Sequence, residues 1–405
     1  MKPDVIIVGA GAAGLMTAIS AARHGVRTVL LLDQSQRPGL KILMSGGGRC
    51  NLTNGELDLN RYRCASVNSL KKVILQFPPS EVIAFFNQLG VSTKTEEPWK
   101  KVFPVSDQAQ SVLAALLGEI RRAGIRFQFP ESVLKLMQQP DGWMVETNHG
   151  RYLTPRVVVA SGGFSYPHTG SDGRLWNMLD KLGVPMTAPI PALTPLHTNG
   201  RQWHQLSGMT LQAALTVTRN GKPLTTRTDS LLFTHQGISG PAAMDVSEWF
   251  ASESGGTRLT VNFLPGTDLQ TADSTFLAYA KLHPDQMVVT WLNQFIPDRL
   301  SRLLAELSGT AGIRLNQITR NQRLTLLGLL TGSELPVSGT GGYKKAEVTA
   351  GGIELGTLNL KTMEIRTHPG LYTVGEIVDV HGPIGGYNFQ WAWSSGWVCG
   401  KGLAV

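Results

Sequence analysis

The sequence predicts an α/β protein built on a nucleotide-binding βαβ framework. Three observations carry this expectation. A complete strand–turn–helix–strand unit opens the chain, two later apolar strands each end in glycine, and the stretch between them turns first strand-like and then helical. At 405 residues and 42% hydrophobic composition the chain can bury a sizeable core, and its length suits two or three domains better than one.

The first element is "DVIIVGAGAAGLMTAISAARHGVRTVLLLD", residues 4–33: a buried strand, a Gly9-x-Gly11-x-x-Gly14 turn, an alanine-rich helix and a second strand ending in Asp33. Gly9 permits the tight turn, Gly11 lets a pyrophosphate approach the backbone, and Gly14 lets helix and strand pack closely. The helix opening at Ala12 and Ala13 presents free N–H groups to the phosphates. Asp33, 19 residues after Gly14, stands where a carboxylate accepts from the adenosine ribose hydroxyls. A dinucleotide ligand is therefore expected.

Next comes "KILMSGGGRCNLTN", residues 41–54, in which Gly46, Gly47 and Gly48 precede Arg49 and Cys50. A glycine run loses much conformational entropy on ordering, so an ordered one implies tight turns or close approach by another group. Further along, "RVVVASGG" (156–163) is a second strand ending at Ser161 and Gly162, after a meander with its turn at His149-Gly150. Asn220-Gly221 marks a hairpin, and "IPDRLSRLLAEL" and "TRNQRLTLLGLL" have helical spacing.

The last element is "GLYTVGEIVDVHGPIGGYNFQWAWSSGWVCG", residues 370–400: a strand into Gly375-Glu376, a loop through Asp379 to Gly385-Gly386, and a helix starting around Tyr387 to Phe389. A strand ending in glycine plus a carboxylate, far from the first fingerprint, is how two-part Rossmann domains hold the ribityl chain of FAD. The helix after it would aim its positive end at the flavin pyrimidine edge. FAD is therefore favoured over NAD. Asn388 and Gln390 are candidates for that edge, although capping the helix would also account for Asn388. Only one full GxGxxG unit exists, so NADPH or NADH is expected at most as a transient electron donor.

Composition excludes several classes. Cys50, Cys64 and Cys399 have no CxxC spacing, which argues against a disulfide framework, a zinc ribbon or a dithiol pair, and no metal is expected. Without a membrane-length apolar run or a leader-like N-terminus, a cytoplasmic protein with no membrane partner is expected. Net charge is +8, and residues 1–189 hold 21 Lys+Arg against 14 Asp+Glu. Pairs such as Lys71-Lys72, Lys100-Lys101 and Arg121-Arg122 fit either an anionic partner or an ordinary solvated surface.

The strings "PGLKILMSGGGRCNLTN", "GGFSYPHTGSDG", "LLFTHQGISGPAAMD", "AEVTAGG" and the segment from Gly370 together resemble the bacterial BaiN/RdsA (YhiN-like) family of FAD-dependent oxidoreductases over essentially the whole chain. Leu40 departs from it, standing where the family usually has a basic residue before Lys41. The resemblance implies a discontinuous, glutathione-reductase-like FAD domain formed by residues 1–190 and 341–405. It also implies an insertion at 191–340, β-barrel-like over 191–270 and helical over 271–340.

By the same resemblance, Lys41 and Gly46 to Arg49 would lie along the cofactor. The activity implied is reduction of an activated C=C bond, as in uridine of ribosomal RNA, or turnover of a small molecule such as a steroid enone or an aminoacetone-like amine. A flavin-bearing RNA-binding factor without turnover is the non-enzymatic alternative. A reductase of this type needs a proton donor beside the hydride donor. Candidates are Cys50, His235, His381 and Tyr387; Cys50 could equally be a small buried residue, and His235 could serve to hold its loop.

Overall fold

Val5–Val8, Val29–Leu32 and Val157–Val159 consist only of Val, Ile and Leu and are buried throughout. Runs apolar on both faces fit the interior of a parallel sheet covered by helices. In the computed structural model, which describes residues 2–251 and 255–404, they lie side by side. The order Arg126–Gln128, Val29–Leu32, Val5–Val8, Val157–Val159, Leu371–Thr373 is parallel throughout. Glu364–Ile365 and Leu358–Asn359 extend the sheet antiparallel. The carboxyl ends of the five parallel strands therefore share one edge. The first strand lies between the second strand in the chain and a much later one, which makes its end a switch point of the kind that binds nucleotides.

The sheet belongs to a unit formed by Met1–Pro191 and Glu347–Val405. Its glycine-loop helix, Ala12–Arg23, packs against the terminal helix, Tyr387–Gly402. A Cβ on Gly396 would lie 2.6 Å from the Ala13 carbonyl oxygen, and one on Gly400 would lie 2.6 Å from both the Ala21 nitrogen and the Thr17 oxygen. The two backbones thus meet without side chains between them, and Ser20 Oγ donates to the Trp397 carbonyl (2.8 Å) across the contact. The His149-Gly150 turn lies between two strands of an antiparallel meander, Gly142–Thr147 and Arg151–Thr154. A small sheet joins Thr53–Asn54, Lys101–Pro104 and Thr93–Glu96.

The second unit, Ala192–Ala346, has a core of its own. Among its described residues seven strands form one antiparallel sheet, and Asn220-Gly221 is the two-residue turn of its longest hairpin, with φ of 51° and 77° as a type I′ turn requires. The two edge strands, Ser333–Leu335 and Val337–Thr340, are separated in sequence by Pro336 alone. The sheet must therefore curl until its edges are neighbours, which makes it barrel-like. Helices Leu269–Leu282, Val288–Leu292, Asp298–Leu307 and Arg320–Gly332 complete the unit; the last opens with a Thr319/Gln322 capping box.

Two boundaries differ from the sequence reading. Residues 333–340, assigned there to the helical part, are the two edge strands, too short for alternation to reveal them. The unit runs on to Ala346 because the Gly341 amide donates to the Pro195 carbonyl and the Ala346 amide to that of Gly342. Among the described residues no helix is long and apolar enough to cross a membrane, and no group of His, Cys, Asp or Glu side chains is placed to hold a metal.

Candidate functional site

The three glycines of the first turn are required for three different reasons. Gly9 has φ 109°, and a Cβ there would lie 2.4 Å from the Ala160 carbonyl oxygen; one on Gly14 would lie 1.8 Å from the Gly9 oxygen. Gly11 has an ordinary φ of −79°, and among the described residues nothing lies within 4 Å of its missing Cβ. Neither conformation nor packing explains Gly11. The open space beside a helix N-terminus does, if an anion is to approach the backbone.

Asp33 follows the second strand and is fixed by two amides, Ala10 N–H to Oδ2 (2.6 Å) and Ser35 N–H to Oδ1 (2.7 Å). Each oxygen keeps a second lone pair for a hydroxyl donor. Burial pushes its carboxyl above the usual aspartate value, and the bonds from Ala10 and Ser35 oppose this. Beyond it, Gln34 Nε2 and Ser35 Oγ donate to the carbonyls of Gly170 and Thr169, docking that turn beside Asp33.

The third and fourth strand ends bring further predicted residues to the same edge. Ser161 Oγ, after Val157–Val159, is buried with no partner among the described residues. Gly162 and Gly375 have φ of 72° and 74°. A Cβ on Gly375 would meet that of Ala13 at 2.7 Å, so the late strand end abuts the first turn of the glycine-loop helix. Glu376 accepts from Ser165 Oγ (2.6 Å), the Thr349 amide (2.9 Å) and Lys41 Nζ (2.5 Å), and Lys41 also reaches Ser165 Oγ (2.7 Å). This cluster ties Lys41 to the strand-end segments. Asp379, half-buried, lies a few residues beyond it, its amide bonded to the Ile353 carbonyl.

The glycine run is a tight turn in which Gly46, Gly47 and Gly48 take φ of 55°, 67° and 87°, a succession that side-chain-bearing residues resist. Arg49 is not a free donor as expected. Its guanidinium pairs with Glu96 and with Asp107 (2.6 Å), lies 4.0 Å from the Phe103 ring centroid, and so fastens the turn to the Thr93–Pro104 region. Two carboxylates satisfy its charge.

Three of the four expected proton donors are buried. Cys50 is wholly buried, and desolvation pushes its thiol up to about 12, so it packs as a small apolar residue. Tyr387 is also buried; its hydroxyl accepts from the Asp58 amide (3.3 Å), and its carbonyl accepts from Tyr62 Oη (2.7 Å). His381 is buried in a short strand paired with Arg63–Cys64. His235 stands exposed, in the turn between Lys222–Thr234 and Gly237–Ser239 of the second unit.

The start of the terminal helix also differs in detail. Gly386, not Asn388, is its N-cap residue, with φ 94° and room for no side chain: a Cβ would lie 2.4 Å from the Thr53 carbonyl. Asn388 clasps the preceding loop, accepting from the Gly382 amide and donating to its carbonyl, both at 2.8 Å. Gln390 is wholly buried between Thr53 Oγ1, the Phe77 carbonyl and Ser394 Oγ, so it has no amide to offer a ligand. Asn54 Nδ2 holds the Gly385 carbonyl (3.1 Å), and Asn51 donates to the Thr53 carbonyl (2.9 Å) while accepting from the Gly386 amide (3.0 Å).

Asn51, Asn54, Ser165 and Thr349 were not singled out from the sequence. The available signal was polar residues beside the glycine turns, in "RCNLTN", "GGFSYPHTGSDG" and "AEVTAGG".

Four known families and proteins resemble the chain. A family model described as HI0933-like protein Rossmann domain matches residues 3–402. The chain is 34% identical over 404 residues to the ribosomal RNA dihydrouridine synthase of Escherichia coli strain K12, covering 99% of this chain and 98% of that protein. It is 32% identical over 406 residues to the 3-dehydro-bile acid delta(4,6)-reductase of Clostridium scindens, covering 98% of each. Among solved structures, 3-ketosteroid delta1-dehydrogenase from Sterolibacterium denitrificans matches with a TM-score of 0.53 at 13% identity over 99% of each chain, a likeness of fold.

Proposed function

The chain belongs to the HI0933-like Rossmann-domain family and is an FAD-dependent oxidoreductase, and from that premise we propose that it reduces a C=C bond conjugated to a carbonyl, with uridine of ribosomal RNA as substrate. One observation carries the reading. Two relatives that match end to end at more than 30% identity are named for different molecules, an RNA nucleoside and a 3-oxo bile acid, yet both names describe saturation of a conjugated ring double bond. The RNA substrate is preferred because the first 189 residues carry the basic excess and phosphate contacts supply most non-specific RNA affinity.

The residues present suit FAD. Open space at Gly11, the partnerless Ser161 hydroxyl and the spare lone pairs of Asp33 lie at the shared strand edge. Gly9, Gly11, Gly14 and the amides opening at Ala12 and Ala13 would hold the pyrophosphate, and Asp33 the adenosine ribose. Ser161, Gly162, Gly375, Glu376 and Asp379 would line the ribityl side with Lys41. The amides opening the helix at Tyr387 would face the pyrimidine edge, with Gly385, Gly386 and Asn388 shaping the turn.

When bound and reduced, FAD supplies hydride to carbon. The chain's own tasks are to orient the substrate, exclude water and deliver a proton to the second carbon. NADPH or NADH would act as a transient reductant.

The test is anaerobic. The purified flavoprotein is reduced with NADPH or NADH and mixed with a uridine-containing ribosomal RNA fragment or a small cyclic enone while flavin absorbance is followed. Reoxidation by the RNA with formation of dihydrouridine is expected. Reoxidation by the enone alone would transfer the assignment to a small-molecule reductase. A reduced flavin inert to every acceptor, in a protein that still binds RNA, would mean a non-catalytic factor.

A further inference from the structure

Several basic side chains of the first unit are neutralised within the protein: Arg23, Lys41, Arg49, Lys94, Lys100 and Arg122 each face a carboxylate. Like other surface lysines such as Lys2, Lys135 and Lys281, four exposed lysines of this unit are unpaired, and these four are set apart by where the chain puts them. Lys71, Lys72, Lys361 and Lys401 have no carboxylate partner among the described residues, and the chain folds them onto one region. Gln76 Nε2 donates both to the Lys72 carbonyl (2.8 Å) and to the Leu360 carbonyl (3.3 Å), which places the end of helix Val67–Ile74 against the residue before Lys361. A Cβ on Gly402 would lie 2.7 Å from the Thr362 Cα, so the residue after Lys401 meets the same turn.

Two helix C-termini thus converge on the turn at 359–362. The negative end of each helix dipole accounts for a lysine in its last turn. It does not account for Lys361, which is on no helix, or for the convergence. Arg366, whose amide is bonded to the Thr357 carbonyl, adds a cation nearby; Glu354, capping the preceding 355–357 turn, and Glu364, whose amide is bonded to Thr362 Oγ1, bring two carboxylates.

We infer that Lys71, Lys72, Lys361 and Lys401 form a docking surface for the phosphate backbone of structured RNA, separate from the site of chemistry. The inference rests on the RNA reading above and deepens it. The terminal helix has its N-terminus at the proposed flavin edge and its C-terminus at the lysines; its 16 residues span about 24 Å at 1.5 Å per residue. A single nucleoside cannot reach both ends. A folded RNA can, gaining from the lysines affinity that carries no base information, as phosphate contacts do.

The test measures binding of a fluorescently labelled ribosomal RNA fragment to the FAD-loaded full chain over a range of salt concentrations. Replacing all four lysines by Ala should weaken binding at least tenfold near 0.1 M salt and flatten the slope of log K against log salt by about 3, since each lost phosphate contact removes about 0.7 to 0.9. Replacing them by Arg should restore both. Flavin content, and reduction of a small enone if the wild type shows it, should not change in either variant.

Equal affinity and slope in the Ala variant, with wild-type binding intact, would overturn the docking surface and leave the RNA substrate standing. A wild type that binds no RNA yet reduces the enone would overturn both. Lysine-dependent binding to phosphatidylserine vesicles without RNA binding would assign the patch to a membrane surface instead.

Discussion

Gly11 and Gly14 belong to one fingerprint, yet they should fail in different ways when substituted. Gly11→Val adds a side chain into space the protein leaves empty, so the variant should fold with an unchanged circular dichroism spectrum and purify without flavin. A variant with full flavin content would remove Gly11 from the site. Gly14→Val instead drives a side chain into the Gly9 carbonyl and should be recovered unfolded. Asp33 yields a pH prediction. Its raised carboxyl pKa means that in the free protein it takes up a proton above the ordinary aspartate range. Ribose hydroxyls donate to the ionised form, so FAD binding must release that proton. Affinity should therefore fall as pH is lowered into the range where this carboxyl protonates, which lies above that of an ordinary aspartate, measured as flavin fluorescence quenching. Asp33→Asn should bind more weakly and show no such slope.

The contact between the two long helices depends on Gly396 and Gly400, each of which weakens an isolated helix by about 1 kcal/mol relative to Ala. Close backbone packing offsets that. Gly400→Ala would set a methyl 2.5 Å from Ser20 Cβ and 2.6 Å from two backbone atoms, none of which can swing aside. A loss of about 1–3 kcal/mol is expected in urea unfolding, although Ala is the better helix former. A neutral or stabilising result would mean that the helices can part. The glycine turn at 46–48 is held differently, by the partly exposed Arg49 ion pairs. Arg49→Gln should cost no more than about 1 kcal/mol of stability, because solvent screens such pairs, and the difference from wild type should shrink as salt is raised.

The second unit is a single stretch of chain with its own core, and the Gly341 amide bonded to the Pro195 carbonyl brings its two ends together. Residues 192–346 expressed alone should therefore fold cooperatively, with a sharp thermal transition by circular dichroism. In the first unit, Met186–Ala192 pairs with Val348–Ile353, so residues 191 and 347 flank the excision closely. Joining them through a short Gly-Ser linker should leave a protein that still binds FAD. Loss of flavin from that shortened chain would mean that the second unit takes part in holding it.

The sequence by itself determined the nucleotide-binding frame, because its signals are local. Strand, turn and helix of the first unit lie within 30 consecutive residues, and each glycine has a reason that spacing alone expresses. The Asn220-Gly221 hairpin and the capped helix after Thr319 were legible on the same ground. What each polar side chain touches was decided only by the tertiary structure. Arg49 and Gln390 read as ligand contacts, and Cys50 and Tyr387 as proton donors. Glu96, Asp107, Thr53, Phe77 and Asp58, up to hundreds of residues away, claim all but the cysteine, which is simply enclosed. A buried donor or acceptor must be satisfied by whatever the fold brings near, and that neighbour has no fixed spacing along the chain. The convergence of Lys71, Lys72, Lys361 and Lys401 is of the same kind: two helix ends and a turn nearly 300 residues apart become one surface only when the sheet is built.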